Sequence, residues 1–308
     1  MARSSALAFD EAPTIPSASA WFRQDQPQSP EEALFFSEAA LTALQPVAES
    51  DHLLGRLWRQ RLALSATARL IAAGGHTESE AELRDICYFS CAGEDPGPAG
   101  RILLAWRTFT EPNAIDLPKT VARLATLLQI RASDSLAGLL TTAATPGQGA
   151  KSAISAATAI LAVCLEPQSD DHSLALWLAD IVLAHSLNWP APVPLLGLYI
   201  RFADLYGPRT PRELLAAISS AYARAAADAI DLHCELAGSA RRLLAVAPKL
   251  RSRQALPTID LLLQEDALPV AEGGTWSLHT NRRIFDRLVQ LGAVRELTGR
   301  TNYRLYGL

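Results

Sequence analysis

Four arginines near the end of the chain have the type and spacing to contact nucleic acid. Arg282 and Arg283 lie where a helix is predicted to begin, and Arg287 follows Arg283 by one helical turn. Arg300 lies in the turn of a predicted hairpin. Guanidinium groups grip phosphates and read guanine in the major groove, so DNA is the partner that this pattern favours. The candidate DNA-binding residues are Thr280, Asn281, Arg282, Arg283, Arg287 and Arg300.

The elements that position these residues follow from the pattern of the last 30 residues. Apolar residues recur at helical spacing over 281–291, and the arginines fall on the other side of that helix. Gly292 is typical of a residue that ends a helix. Two short extended runs, 293–297 and 301–306, predict a β-hairpin with Gly299 in its turn. A helix followed by a basic-tipped hairpin is the ending of a winged helix.

A different use of the same segment stays open. Residues 266–280, between the candidate first helix (257–265) and Asn281, are few for a well-formed middle helix. The alternative is therefore a structural tail whose arginines are solvated, on a helical module that binds a protein partner or associates with itself.

Composition favours a mainly α protein, a multi-helix bundle with a small winged-helix-like domain at its C-terminus. The chain has 308 residues, 49% hydrophobic and 6% aromatic, and Ala and Leu dominate. Its formal net charge is −4, which argues against coating nucleic acid along the whole length. The nine Lys and Arg residues from Lys249 onward outnumber six acids, so the tail is positive and the remainder negative.

Helix start signals organise the body. Ser29 and Thr210 each precede a Pro and a Glu in the pattern of a capping box, a third box is predicted at Thr77–Glu80, and Asp95 begins a further helix. The predicted helices are 30–44, 53–73, one from the box at Thr77–Glu80 through Tyr88, one that starts at Asp95–Pro98 and contains Leu103, Leu104 and Trp106, and then 117–130, 133–142, 150–165, 172–187, 195–206 and 211–246, with a bend or break at Gly238.

The predicted domains are a poorly ordered leader (1–28), an all-helical body (29–250) and the winged-helix-like segment (251–308). The apolar content of the body predicts that it folds without that segment. Its helices contain no uncharged run of the roughly 20 residues that a membrane span needs, so we expect no membrane contact and a cytoplasmic location.

Cysteine and histidine side chains elsewhere in the chain give only weak indications of a metal site or of catalysis. Cys87 and Cys91 with His76 lack a second pair at zinc-finger spacing, and His233 and Cys234 are neighbours that diverge on a helix. We therefore predict no catalytic residue, no metal and no cofactor.

Arginines and acids of the first half of the body form a separate set. We interpret them as helix caps and surface ion pairs rather than as a buried pocket. They are Arg84, Asp85, Asp95, Arg101 and Arg107.

A family resemblance rests on five stretches: WRQRLAL (58–64), ESEAELRD (78–85), DPGPAGRILLAWR (95–107), LADIVLAHSLNWPAPVPLLGL (178–198) and RIFDRLVQLGAVRELTGRTNYRLYGL (283–308). They resemble an uncharacterised bacterial family, the domain of unknown function 1403 family. The resemblance implies a bacterial protein and brings no activity with it. The tail alone is similar to the C-terminal winged helix of many Fic-type adenylyltransferases, but their His-Pro-Phe-x-x-Gly-Asn signature is absent, so their chemistry is not implied.

Overall fold

The computed structural model describes residues 27, 29–49, 53–89, 94–110, 126–127, 152–165, 172–201, 205, 210–250, 252, 254–270, 278–298 and 304–308. Helices hold 74% of the described residues, which confirms the mainly α prediction. The predicted leader and the helices predicted at 117–130 and 133–142 lie almost entirely outside the described residues.

The body contains eight of the described α-helices and one 3₁₀ turn. They are α1 (Pro30–Glu49), α2 (Gly55–Ala73), α3 (Glu80–Phe89), α4 (Gly97–Phe109), α5 (Ala153–Cys164), α6 (His172–Ser186), α7 (Leu196–Tyr199), α8 (Pro211–Val246) and the 3₁₀ turn Ala247–Lys249.

The C-terminal segment adds two helices and three short strands. They are α9 (Ala255–Leu262), β1 (Leu268–Pro269), α10 (Leu278–Gln290), β2 (Arg295–Glu296) and β3 (Leu305–Gly307).

Several helices begin at the predicted caps. The Ser29 hydroxyl accepts from the amide of Glu32 at 3.1 Å, and Thr210 with Glu213 forms the reciprocal capping box that opens α8. A carboxylate oxygen of Asp95 accepts from the amide of Gly97 at the start of α4. These contacts satisfy amides that have no partner within the helix, so each fixes where its helix begins.

Three details of the helices correct the sequence predictions. The box that opens α3 pairs Ser79 with Glu82, two positions later than the predicted Thr77–Glu80, because the Ser79 hydroxyl accepts the Glu82 amide and the Glu82 carboxylate accepts the Ser79 amide. The helix α8 continues through Gly238 without a break, since its neighbours Ala237 and Ala240 are buried. The helix α7 ends at Tyr199, because Ile200 is extended, whereas a helix to residue 206 was predicted.

The core of the body is packed around α6 and four buried tryptophans. Every residue from 174 to 184 is buried, so α6 is enclosed on all sides. Trp106 and Trp177 meet edge to face with ring centroids 5.4 Å apart, and the Trp58 indole donates to the carbonyl of Ala229 at 2.8 Å. The long helix α8 packs along α1, α5 along α6, and α2 against α4.

The three strands form an antiparallel sheet in the order β1–β3–β2. In its register Leu268 pairs with Tyr306, and Arg295 pairs with Gly307. The predicted hairpin is therefore present as β2 and β3, and its turn at residues 299–303 lies outside the described residues. The strand β1, which was not predicted, joins the residues after α9 to the end of the chain.

Among the described helices, none combines the length and the apolar character needed to cross a membrane.

One buried acid fixes the proline-rich connector between α6 and α7. Asp180 is 1% exposed, and its carboxylate accepts the amides of Leu195 at 3.0 Å and Leu196 at 3.2 Å. Burial raises the pKa of Asp180 to about 8, although the two amides and the Tyr222 hydroxyl oppose the shift. The folded protein therefore holds this carboxyl group neutral at a pH where the unfolded chain ionises it.

Replacement of Asp180 by Asn should remove a pH dependence of stability. Because the pKa in the fold lies above the ordinary 3.8, the free energy of unfolding should fall as pH rises from 3.8 toward about 8, by at most about 1.4 kcal/mol per pH unit. Urea denaturation at several pH values in that window measures the slope for both proteins. The Asn variant, which keeps an oxygen acceptor, should show the shallower slope; equal slopes would contradict the account.

Candidate functional site

The exposed face of α10 contains the predicted DNA-binding residues. Ile284, Phe285 and Leu288 face inward and are 5% exposed or less, and the ring of Phe285 stacks on that of Tyr306 in β3 at 4.7 Å. This packing fixes the rotation of the helix on the sheet. The residues between the buried positions must therefore point to solvent.

The structure brings three of the predicted arginines together on this face. Arg282, Arg283 and Arg287 are exposed, and Asn281 is half-buried. Thr280 lies in α10, but its side chain is outside the described part, as is Arg300. The arginine set predicted from helical spacing is therefore found on one side of one helix, without the hairpin tip.

The charges of this face have few local partners. Arg287 donates to the side-chain oxygen of Gln290 at 3.4 Å, and the acid Asp286 is exposed between the arginines. Arg282 and Arg283 form no ion pair with another described residue. An exposed guanidinium group without an ion-pair partner can bind a phosphate group of DNA, and counterions are released when it does so.

A second constellation, which the sequence analysis missed, surrounds Asp266. Asp266 follows α9, is fully buried and contacts arginines from three helices of the body. Arg61 of α2, Arg84 of α3 and Arg107 of α4 converge on its carboxylate. We call these four residues the arginine cluster.

Each arginine of the cluster has a distinct contact. Arg84 donates Nε–H to Oδ2 of Asp266 at 2.9 Å, and Arg107 donates from Nη2 to the same oxygen at 3.1 Å. Arg61 pairs with Oδ1, and its Nη2 also donates to the main-chain oxygens of Asp266 at 3.0 Å and Leu308 at 3.2 Å. One guanidinium thus links α2 to both the beginning and the end of the small sheet.

Neighbouring polar groups complete the attachment. The amide of Asp266 donates to the Gln60 side-chain oxygen at 2.8 Å, and the amide of Ala267 donates to the Tyr88 hydroxyl at 3.2 Å. The backbone of β3 also comes close, because a Cβ added to Gly307 would lie 2.6 Å from the carbonyl oxygen of Asp266. A residue larger than glycine would push β3 away from the cluster.

The electrostatics of the cluster keep Asp266 ionised. Burial alone would raise its pKa, but the positive charges of Arg61, Arg84 and Arg107 outweigh burial and hold the pKa below the ordinary 3.8. Three cations face one buried anion, with Glu80 3.7 Å from Arg84 at the half-exposed edge. The cluster therefore joins the C-terminal segment to the helical body, and its positive charges outnumber its negative ones.

These contacts correct the interpretation of Arg84 and Arg107. Both were predicted to serve in caps or surface pairs, yet both reach across to Asp266, and Arg84 is 6% exposed. Only Arg101 follows the prediction, pairing with Asp95 at the exposed start of α4. Sequence could not show this partner, since Asp266 is 182 positions from Arg84. The one signal was a polar run, Arg59–Arg61, between the apolar residues Trp58 and Leu62 of α2.

The described residues give no support to a metal site or a catalytic pair at the cysteines and histidines considered in the sequence analysis. Cys87 is half-buried and burial raises the pKa of its thiol, while Cys91 is outside the described residues. Within the described residues there is no group of three metal-ligating side chains. His233 is buried against Trp58, and burial lowers its pKa to about 4, so it is neutral near pH 7.

The predicted boundary at residue 250 separates Asp266 from its three arginines. We predicted that the helical body folds without the C-terminal segment, and this stays a prediction. Its outcome depends on whether the body tolerates the loss of Asp266.

Replacement of Asp266 by Asn should lower the free energy of unfolding by about 3–5 kcal/mol, because the buried Arg61 and Arg84 and the half-buried Arg107 would lose their shared counter-ion. Urea denaturation at neutral pH measures the loss. Since the pKa of Asp266 is depressed below 3.8, its contribution is present above that pH and is lost on further acidification.

Asp95 provides the matched control, since it also pairs with an arginine but its side chain is 57% exposed. Asp95→Asn should lower the free energy of unfolding far less than Asp266→Asn, because solvent screens this exposed pair. Equal losses in the two variants would show that the cluster contributes no more than a surface pair.

Comparison with known proteins agrees with the resemblance seen in the sequence. No protein of the curated collection matches the chain. A family described as "Protein of unknown function (DUF1403)" matches residues 6–308, which is nearly the whole chain. The match includes both the helical body and the C-terminal segment with α10 and Asp266. The chain belongs to the domain of unknown function 1403 family.

Proposed function

We propose that the chain is a regulatory or accessory protein that contacts DNA through the exposed face of α10. The observation that carries this proposal is the division of that helix, with Ile284, Phe285 and Leu288 buried and Arg282, Arg283 and Arg287 exposed. Cations held on a rigid helix are the groups that bind a phosphate backbone.

The order of elements supports a winged-helix arrangement. Helix α9, strand β1, helix α10 and the β2–β3 hairpin follow one another, and β3 lies between β1 and β2. In a winged helix the helix before the hairpin enters the major groove, which is the position of α10. Residues 271–277, where a middle helix would lie, are outside the described residues.

The uneven distribution of charge would orient the protein as it approaches DNA. The whole chain is at −4, while the residues from Lys249 onward carry an excess of three positive charges. Phosphates attract that segment and repel the rest, so the protein would approach DNA with α10 leading.

A helical interaction module is the second candidate, and it has its own observation. Leu256 and Leu261 on α9 are 50% and 49% exposed, and Val289 on α10 is 41% exposed. Exposed aliphatic side chains on the C-terminal segment suit a protein partner or a second copy of the chain. On this proposal the arginines of α10 form a polar rim and contact no DNA.

Reversal of two charges on α10 separates the candidates. Arg283→Glu with Arg287→Glu changes the net charge by four units at positions one helical turn apart. If α10 contacts phosphates, affinity for a mixed-sequence duplex should fall at least about tenfold, and the dependence of affinity on salt should become shallower. Fluorescence anisotropy at low salt measures both, and circular dichroism should show an unchanged fold.

Arg241→Glu with Lys249→Glu is the matched control, since both residues are exposed and lie outside α10. This pair changes net charge equally, so a loss of the same size would assign binding to overall charge and would remove α10 from the proposal. Absence of wild-type binding would remove the DNA proposal altogether.

A further inference from the structure

A cleft of about 620 Å³ lies between α8 and the end of the chain. Residues 232–242 of α8 form one wall, and residues 292–295 with Leu308 form the other. The cleft has one further wall residue, Arg61 of the arginine cluster. The cleft is therefore built where the C-terminal sheet meets the helical body.

Arginines from three separate parts of the chain line this space. Arg61 comes from α2, Arg242 from α8 and Arg295 from β2, and Glu235 is the one acidic side chain of the lining. Arg242 and Arg295 are exposed, whereas Arg61 is 7% exposed at the inner side. The side chains of the cleft thus carry positive charge in excess, in a protein whose net charge is −4.

The partners of these arginines leave part of their positive charge uncompensated. Arg242 donates from Nη2 to the Ser239 hydroxyl at 2.9 Å, a neutral partner that does not compensate its charge. Arg61 shares Asp266 with Arg84 and Arg107, so that acid cannot neutralise it fully. A free carboxyl group on Leu308 would remove one unit of charge and would still leave the cleft positive.

Burial and the nearby cations act in the same direction on the pKa of Arg61. Burial lowers the pKa of Arg61, and the nearby positive charges of Arg84 and Arg295 lower it further, while Asp266 opposes the shift. A bound anion between Arg61 and Arg295 would relieve that repulsion.

We propose that this cleft binds a small molecule through a multiply charged phosphate group held by Arg242 and Arg295, with the charge of Arg61 at the inner side adding to the attraction. A guanidinium offers a planar fork of donors that matches the oxygens of a phosphate, and two such groups with a third cation nearby suit a diphosphate better than a single carboxylate. The Ser239 hydroxyl, next to Arg242 in the lining, supplies a further polar contact.

This site is separate from the proposed DNA contact. The arginines of α10 are not among its lining residues, and a concave space of about 620 Å³ fits a small molecule and not a duplex. Because its walls come from the body and the C-terminal segment, an occupant would also stabilise their contact.

Calorimetric titration with pyrophosphate, at low ionic strength and without divalent metal, tests the proposal. Wild-type protein should bind, and Arg242→Gln with Arg295→Gln should weaken binding at least about tenfold, since two charged donors are lost. Glu235→Gln should strengthen binding several-fold, because a repelling carboxylate is removed from the wall. Both sets of changes are at exposed residues, so the fold should persist.

Arg212→Gln with Arg241→Gln is the matched control, since Arg241 adjoins Arg242 on α8 and neither control residue lines the cleft. The control should bind within about twofold of wild type. No binding by wild type, or an equal loss in the control, would overturn the proposal. Citrate that binds the same arginines as tightly as pyrophosphate would overturn the assignment to phosphate.

Discussion

The buried carboxylate of Asp266 is the contact on which the arrangement of the chain depends. It is the point where α2, α3 and α4 of the body meet the segment that contains the small sheet. A buried arginine without an anion is costly, so three of them cannot pack there unless the acid arrives with the C-terminal segment. Attachment of the sheet and formation of that part of the body are therefore coupled.

That coupling determines where the other cationic groups lie. Since β3 is held against Asp266, its partner β2 places Arg295 beside the cleft, and Phe285 packs on Tyr306 to orient α10. The exposed arginines of α10 thus lie on the C-terminal segment alone, whereas the arginines of the cleft come from that segment and from α2 and α8 of the body. A long-range macromolecular contact and a small-molecule site can coexist there because they use different side chains.

The predictions from sequence that were confirmed rest on short-range signals. The caps at Ser29, Asp95 and Thr210 are contacts across two or three positions, and the buried and exposed faces of α10 follow from helical periodicity. The propensity of a single residue was less reliable. Gly238 predicted a break, yet the packing of its neighbours in α8 outweighs the cost of a glycine inside a helix.

The candidate site was predictable only in part, because half of it depends on distant residues. The arginines of α10 lie within five positions of each other, so their common face was visible in the sequence. The partners of Asp266 are 159 to 205 positions away, and no local pattern joins them. Strand β1 escaped prediction for the same reason, since two residues form a strand only through pairing with β3.

The most direct test of the account is hydrogen–deuterium exchange of the full chain, followed by mass spectrometry. If Asp266 joins the C-terminal segment to the body, the amides of Asp266, Ala267 and β3 should exchange as slowly as those of α2, because both open in one cooperative event. Exchange of those amides at the rate of exposed surface loops, with α2 still protected, would contradict the account.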